Sequence, residues 1–572
     1  MLRPIYTEPE NCQDCYKCVR ECPVKAINVE GNKASIEEER CIYCGHCTQV
    51  CPTGAKKIRD GLTRARLTVE RYPRKVYLSL APSYASEFGD VSTTVLIAAV
   101  QQLGFAGVSE TALGAEMVSA ATERFLTQAP EGVYISSACP VAVAYIQKYA
   151  PVHASKITPI FSPMLAHAKL LKDNYGQDIR VIFAGPCIGK KSEADNYNRL
   201  IDVAITFADL RRWLDREGID LEMPIQPESA AFIPYPSGQG SMYPIEGGML
   251  ASMHPLPRPV HYMAFSSLPS IRDALNNIDS YCFGQTVFLE LLACRGGCIN
   301  GPAKLHDGSL AVKHHTIRHT CVQENPRRDS THIDLNAQFA PDPQKTSCEY
   351  TEDELKEALS VVGKTTPEDE LNCSSCGYDS CRDFAVAMLE GHAEDSMCAS
   401  YMRRIAHDKA TALLHKIPAG VLLVNKALSV VDMNRSFAQA MGPEILELYE
   451  VCPGIPGAAL KSVCSNFESL FRTALVTGEE IRERKVKENG KTWLLSIYNM
   501  QPHRLVFGLL QDLQEPSVRK DWMLEKTQEV IKNHMATVQK IAGLLGENAA
   551  FTDASLRSII EAYNKPEDKA KM

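Results

Sequence analysis

The stretch Arg180-Val-Ile-Phe-Ala184-Gly-Pro186-Cys187-Ile-Gly-Lys190 decides the fold of the middle of the chain. After Arg180, the four residues 181–184 are apolar and predict a buried strand, which Gly-Pro then ends. Two similar runs, 75–80 and 132–136, also lead into short loops. Strand, loop and helix in this order predict an α/β domain whose functional groups lie at the carboxyl ends of strands.

Length and charge restrict the class of protein. A chain of 572 residues is too long for one core and predicts about three to five domains. Its 61 Lys and Arg face 69 Asp and Glu, a net charge of -8 without a long basic run, which argues against nucleic acid as a partner. No segment approaches the ~18 apolar residues of a membrane span, and the start lacks a signal-peptide core. We therefore expect a cytoplasmic protein that does not enter a membrane.

The 21 cysteines indicate the chemistry. Most are separated by two to four residues, a spacing typical of thiolates that bind iron rather than of a disulfide framework. We therefore expect an oxygen-sensitive iron protein. Four cysteines outside these groups are expected to be small buried apolar residues: Cys321, Cys348, Cys452 and Cys464.

Residues 1–60 contain an internal repeat of Cys-x2-Cys-x2-Cys-x3-Cys-Pro. This is the signature of a two-[4Fe-4S] ferredoxin-like domain, in which the fourth cysteine of each run binds the other cluster. A structural zinc site would not explain eight cysteines in this pattern. The two expected ligand sets are Cys12, Cys15, Cys18 and Cys51, and Cys41, Cys44, Cys47 and Cys22.

Residues 351–404 begin with an acidic helical stretch and contain four further cysteines. Their spacing resembles a small helical iron-sulfur module found beside several redox proteins, and it predicts a third accessory [4Fe-4S] cluster. Zinc is the alternative. The expected ligands are Cys373, Cys376, Cys381 and Cys398.

Residues 405–515 resemble a PAS domain. Pro418-Ala-Gly-Val421 precedes an apolar run, Asn434-Arg-Ser-Phe437 opens a helix, and two apolar strands follow. Three scattered histidines, His407, His415 and His503, form no ligand pattern, so a ligand-free domain that transmits a signal is favoured over a haem domain.

Residues 516–572 predict a helix with apolar residues at seven-residue steps: Leu524, Ile531, Val538 and Leu545. This pattern favours a short coiled coil and hence a homodimer. The alternative is an amphipathic helix that packs on its own PAS domain. No ATP-binding segment follows His534, which argues against self-phosphorylation.

The first 350 residues resemble the [FeFe]-hydrogenases. The resemblance rests on Ala138-Cys139-Pro140, Pro186-Cys187 with Lys190 and Glu193, and Cys294-x3-Cys298-x2-Gly301. It implies that residues 62–350 form the domain that holds an H-cluster, a [4Fe-4S] cluster joined to a diiron unit with CO, cyanide and a bridging dithiolate. The implied ligands are Cys139, Cys187, Cys294 and Cys298.

The resemblance also implies roles for other residues. Lys190 would donate a charge-assisted hydrogen bond to a cyanide ligand. Pro82, Ser83 and Pro186 would line the cofactor site. Glu193, Glu290 and Cys282 are candidates for proton transfer or for orienting the loops.

Three departures from the family pattern change the expected function. Ala138 replaces the cysteine that passes protons to the metal, whereas Gly185 and Leu292 replace two methionines. The acidic relay is also reduced. We therefore expect slow, reversible H2 oxidation and proton reduction that serves H2 sensing, with signalling through the PAS domain.

Two alternatives remain, a metabolic [FeFe]-hydrogenase with another proton path and a cluster carrier that lacks the diiron unit. The expected partners are H2, protons, a ferredoxin-type or other redox protein, and a separately encoded kinase or phosphatase.

Overall fold

The computed structural model describes residues 3–221, 230–280, 284–320, 331–342 and 350–512. The chain divides into two units, Met1–Asp395 and Ser396–Met572. Cys282, Cys321, Cys348 and the predicted coiled coil at 516–572 lie outside the described residues. Among the described helices, none is both long and apolar enough to cross a membrane.

The ferredoxin-like region is built from two short hairpin-like sheets and two short helices. Strand β1 pairs antiparallel with β4, and β2 pairs antiparallel with β3. The cysteine repeat gives equivalent backbone conformations, because Tyr16 and Gly45 both adopt the left-handed conformation just before a helix. The elements are β1 (Ile5–Thr7), α1 (Lys17–Arg20), β2 (Ile27–Glu30), β3 (Lys33–Ile36), α2 (His46–Val50) and β4 (Lys56–Ile58).

Two parallel sheets form the next region, which confirms the predicted α/β class. One sheet has the strand order β6-β5-β8-β9 and the other β10-β11-β7. Most of their strands are almost continuously apolar and buried, as is typical of parallel sheets. The strand Val260–Ser266 is the exception and is partly exposed. The strands are β5 (Val76–Leu80), β6 (Gly107–Glu110), β7 (Val133–Ile135), β8 (Arg180–Ala184), β9 (Val203–Ile205), β10 (Val260–Ser266) and β11 (Thr286–Leu292).

The helices of this region mostly connect its strands. Pro140 and Pro163 each occupy a first helical turn, where a missing N–H costs nothing. The helices are α3 (Leu62–Arg71), α4 (Tyr84–Glu87), α5 (Thr93–Gln102), α6 (Thr111–Gln128), α7 (Pro140–Tyr149), α8 (Pro163–Tyr175), α9 (Gly189–Asn196), α10 (Phe207–Arg216), α11 (Gly248–Ala251), α12 (Leu268–Asn276) and α13 (Leu310–Thr320).

The third cysteine module contributes two helices to the first unit, α14 (Glu352–Val361) and α15 (Cys381–Leu389). Each begins with a capping box, at Thr351 and Ser380 respectively. The next helix, α16 (Ala399–Lys416), belongs to the second unit and runs across the predicted boundary at 404/405.

The second unit contains a five-stranded antiparallel sheet with the order β13-β12-β16-β15-β14. Its core includes Phe437, Phe467 and Phe471, all buried. Buried Asn434 fixes the start of the sheet, because its side chain accepts from Val421 N and donates to Ala419 O. The elements are β12 (Gly420–Asn425), β13 (Val430–Met433), α17 (Arg435–Met441), α18 (Pro443–Val451), α19 (Leu460–Val463), α20 (Glu468–Thr477), β14 (Ile481–Glu488), β15 (Lys491–Gln501) and β16 (Leu505–Asp512).

The two described cysteines outside the motifs differ. Cys464 is buried in the core of the second unit, as predicted. The prediction for Cys452 was wrong, because this residue is exposed just after α18.

Candidate metal centre

The candidate centre of the α/β region is assembled from loops that follow parallel strands. The loops after β5, β7, β8 and β11 carry Ser83, Cys139, Cys187 and Cys294, respectively. Carboxyl ends of parallel strands share one edge of a sheet, so residues distant in sequence converge there. Within each sheet, the pairing of the strands therefore brings together the loops that carry the cysteine motifs.

Four thiols in these loops lie within electrostatic reach of one another. Burial, followed by the nearby Cys139, raises the pKa of Cys187 to about 11. Burial and the thiols of Cys187, Cys298 and Cys139 raise the pKa of Cys294 well above its usual value. Burial, Cys139 and Cys187 likewise raise the pKa of Cys298. Thiols with raised pKa values lose their protons readily only when a metal binds the sulfur atoms. The donor set therefore fits an iron-sulfur cluster. We call these four cysteines the H-domain site.

A buried cation, Lys190, accompanies the H-domain site. Lys190 Nζ donates to Ser162 Oγ at 2.8 Å and to Glu193 Oε2 at 2.7 Å. Its charge opposes the rise in the pKa values of Cys187 and Cys298 that burial causes. Ser162 was not among the residues predicted for the site. The available signal was a serine directly before a proline, a pair that often begins a helix and places a polar side chain there.

The loop after β5, which carries Pro82 and Ser83, lies beside the loop that carries Cys187. Ala81 N donates to Ala184 O at 2.9 Å, and Ser83 is buried. Pro82 is half-buried, whereas Pro186 is buried and its carbonyl accepts from Ala303 N at 3.0 Å.

The position of Gly185 is incompatible with the methionine of the family pattern in this arrangement. A Cβ there would lie 2.7 Å from Phe183 Cζ and 2.9 Å from Ala81 Cβ. The ring of Phe183 therefore takes space next to the site that a longer side chain at 185 would need. Leu292, the other replacement, ends β11 and is buried.

Ala138 and Glu290 are connected through Ser136 and Met249 by a short series of hydrogen bonds. Ala138 N donates to Ser136 Oγ at 3.2 Å, and Ser136 Oγ donates to the sulfur of Met249 at 3.1 Å. Glu290 Oε1 accepts from Met249 N at 3.3 Å, while its buried Oε2 has no hydrogen-bond partner among the described residues. Burial, opposed by backbone donors, raises the pKa of Glu290 to about 7.

The ferredoxin-like region contains two sets of thiols whose charges affect one another. The charge of Cys22 raises the pKa values of Cys41, Cys44 and Cys47, after the larger effect of burial. We call the set Cys22, Cys41, Cys44 and Cys47 the inner site. Cys51 and Cys12 act similarly on Cys15 and Cys18, so the outer site consists of Cys12, Cys15, Cys18 and Cys51.

In the third module, Cys381 is buried and its N–H donates to Asn372 Oδ1 at 2.7 Å. Cys373 is exposed and Cys376 is half-buried. Cys398 is the N-terminal cap of α16 in the second unit. Among the described residues, no group of three or more Cys, His, Asp or Glu side chains converges on a single metal ion. A cubane needs wider spacing than one zinc ion, because each thiolate binds a different iron atom.

Comparison with known protein families identifies the class. Residues 8–55 match the family described as "4Fe-4S dicluster domain", and residues 369–400 match "Putative Fe-S cluster". Residues 74–256 match "Iron only hydrogenase large subunit, C-terminal domain". The chain is an iron-sulfur protein that binds [4Fe-4S] clusters. Its middle region is similar to the iron-only hydrogenase large subunit, and the chain as a whole is a hydrogenase-like iron-sulfur protein.

Individual relatives are distant. The chain is 23% identical over 302 residues to iron hydrogenase 1 of Clostridium pasteurianum, covering 43% of this chain and 52% of the relative. It is 24% identical over 300 residues to the periplasmic [Fe] hydrogenase large subunit of Nitratidesulfovibrio vulgaris, covering 43% and 70%. The chain thus spans about half the length of the first relative.

Solved structures give similar coverage. A variant of [FeFe]-hydrogenase HydA1 from Chlamydomonas reinhardtii aligns with a TM-score of 0.37 and 16% identity, over 49% of this chain and 99% of that one. A domain of a sensory box sensor histidine kinase/response regulator from Geobacter sulfurreducens aligns with a TM-score of 0.15 and 21% identity, over 19% and 96%.

Proposed function

We propose that this protein is a slow [FeFe]-hydrogenase that senses H2. The observation that carries the proposal is the H-domain site itself, four mutually close thiols beside the buried Lys190, with alanine at position 138. When bound, the H-cluster would supply heterolytic cleavage of H2. Cys139, Cys187, Cys294 and Cys298 would hold it, and Lys190 would donate a hydrogen bond to its anionic ligand.

Slow turnover follows from the side chains around the site. Ala138 carries no titratable group, so it can neither accept nor donate a proton. Positioned acid-base groups contribute about 100- to 10,000-fold to rates, and their loss makes proton transfer limiting. Slow turnover suits a sensor, because occupancy and redox state then report the H2 concentration.

Signalling would use the second unit. Its strand order, second-first-fifth-fourth-third along the chain, supports the PAS resemblance inferred from sequence. We propose that three accessory [4Fe-4S] clusters pass the redox state toward this domain. A homodimer and a separate kinase or phosphatase would complete the pathway, and a ferredoxin-type protein would exchange electrons with it.

A metabolic hydrogenase with another proton path is the second candidate. Glu290 favours it, because one carboxylate oxygen is unpartnered among the described residues and its pKa is about 7. A chain of hydroxyls leads from the same turn: Ser252 Oγ donates to Met249 O at 2.7 Å, and Ser119 Oγ lies 2.7 Å from Ser252 Oγ and 2.8 Å from Tyr243 OH. Hydroxyls exchange protons along such chains.

Infrared spectroscopy tests the diiron unit. Protein matured with the diiron cofactor and purified without oxygen is measured before and after H2. We expect CO and cyanide bands that shift with H2. Absence of these bands, despite full iron-sulfur loading, would instead support the cluster-carrier alternative.

A further inference from the structure

The third module packs against the ferredoxin-like region at the segment that carries Cys22. Lys25 Nζ donates to Gly377 O at 2.6 Å, and Arg20 donates through its guanidinium to Ser375 O at 3.3 Å. Gly377 has φ +100°, and a Cβ there would lie 2.9 Å from Val19 Cγ1. The backbone after Cys376 is therefore in close contact with α1.

A second group of contacts holds the same two regions together. Val29 N donates to His392 O at 3.1 Å, and Gly31 N donates to Glu394 Oε1 at 2.6 Å. His392 Nε2 also lies 3.3 Å from Glu37 Oε1. The module is thus fixed at both the first helix and the β2–β3 hairpin, which limits its motion relative to the inner site.

A hydrogen bond joins the segment that holds Cys22 to the backbone beside Cys376. Ala26 N donates to Cys22 Sγ at 3.3 Å, and the neighbouring Lys25 Nζ donates to Gly377 O. Two residues after Cys376, Tyr378 is 6% exposed and packs against Phe384 with ring centroids 5.8 Å apart. The loop of Cys376 therefore lies close to the loop of Cys22.

The inner site also faces the H-domain site. A Cβ at Gly45 would lie 2.6 Å from both Ile188 Cδ1 and Pro302 Cβ. Gly45 follows Cys44, and Ile188 follows Cys187. Only a residue without a side chain allows this approach.

We propose that the inner site is an electron-transfer junction, which exchanges electrons directly with the H-domain site, the third module and the outer site. Electron transfer slows steeply with distance, so these contacts define the route. Oxidation of one H2 releases two protons and two electrons, and each electron reduces one [4Fe-4S] cluster. This inference rests on the proposed function for its electron source. If the inner site is the junction, electrons from H2 reach the third module without passing through the outer site.

Removal of the outer cluster tests the junction. Cys15→Ala disrupts the outer site in the full-length, cluster-loaded protein, and H2-driven reduction of each remaining cluster is followed by electron paramagnetic resonance. We expect the third-module cluster to be reduced as in the unsubstituted protein. Its loss of reduction in Cys15→Ala, with the inner cluster intact, would overturn the junction. Cys452→Ala, an exposed cysteine outside all motifs, is the matched control.

A measurement independent of H2 separates this inference from the proposed function. In dithionite-reduced protein we expect spin coupling between the inner and third-module clusters, lost in Cys376→Ala and retained in Cys452→Ala. Coupling without reduction by H2 would reject the hydrogenase function and support the junction. Absence of coupling, with both clusters reduced, would reject the junction. This second readout also applies if Cys15→Ala fails to fold.

Discussion

At the scale of single residues, position 138 combines a half-buried alanine with a backbone N–H held by Ser136. A thiol here could transfer protons between the site and the network around Met249. The chemistry available at this position therefore depends on one side chain, while the loop that carries it is fixed by neighbouring hydrogen bonds.

We expect Ala138→Cys to raise H2 oxidation and proton reduction, within the ~100- to 10,000-fold range of positioned acid-base groups. Rates are measured by H2 uptake in matured protein with matched iron content. Ala138→Ser, similar in size and with a much weaker acid, is the control. Unchanged turnover in Ala138→Cys would reject the proton-transfer explanation.

We expect Glu290→Gln to lower turnover by about 100-fold or more if Glu290 carries protons in place of the missing cysteine. Glutamine keeps the acceptor for Met249 N but cannot exchange a proton. H2 uptake across pH 5 to 9 provides the measurement. If turnover and its pH profile stay the same, Glu290 only positions the α11 turn.

At the scale of elements, buried polar side chains lock strands to helices around the site. His167 on α8 lies 2.7 Å from Ser79 Oγ on β5 and 2.8 Å from Ser109 Oγ on β6. A serine hydroxyl thereby contacts each ring nitrogen, and burial lowers the pKa of His167 to about 3. The neutral ring stabilises the β5–β6 pair.

This histidine predicts acid sensitivity. Between pH 6.5 and 3 the unfolded chain binds a proton at His167 and the folded chain does not, so the free energy of unfolding falls as pH falls. The loss is about 2 kcal/mol at pH 5. Urea unfolding at pH 5 and 7 should show a smaller difference for His167→Gln than for the unsubstituted protein. Exposed His261→Gln should leave the difference unchanged.

Contact between regions depends on Gly45, which has φ +79° and no space for a Cβ. We expect Gly45→Ala to destabilise the protein by about 1–3 kcal/mol and to slow H2-driven reduction of the inner cluster, because Ile188 and Pro302 must move. Gly54→Ala is the matched control, since Gly54 has φ +64° and only Lys57 Nζ within 4 Å, at 3.9 Å. Equal behaviour of both variants in thermal unfolding and reduction kinetics would contradict the close-contact role.

At the scale of the whole molecule, the chain combines an iron-sulfur unit with a second unit that contains no cysteine repeat. If H2 sensing is the function, H2 must change the second unit. We expect amide hydrogen exchange within 420–512 to differ between H2 and argon in matured protein, and the difference to vanish in Cys298→Ala, which lacks one H-domain thiol. Identical exchange under both gases, with infrared evidence of H2 binding, would reject signalling through this unit.

The sequence by itself determined the cysteine motifs, the α/β class and the order of regions, because ligand spacing and apolar periodicity are local properties. It also indicated Ala138 and Lys190 through resemblance. Only the tertiary structure revealed that Ser162 holds Lys190, that Phe183 fills the space beside Gly185, and that Lys25 joins the Cys22 segment to the backbone beside Cys376. These contacts join residues that are far apart in the chain or separated by a turn. They depend on side-chain packing, which leaves no local signal in the sequence.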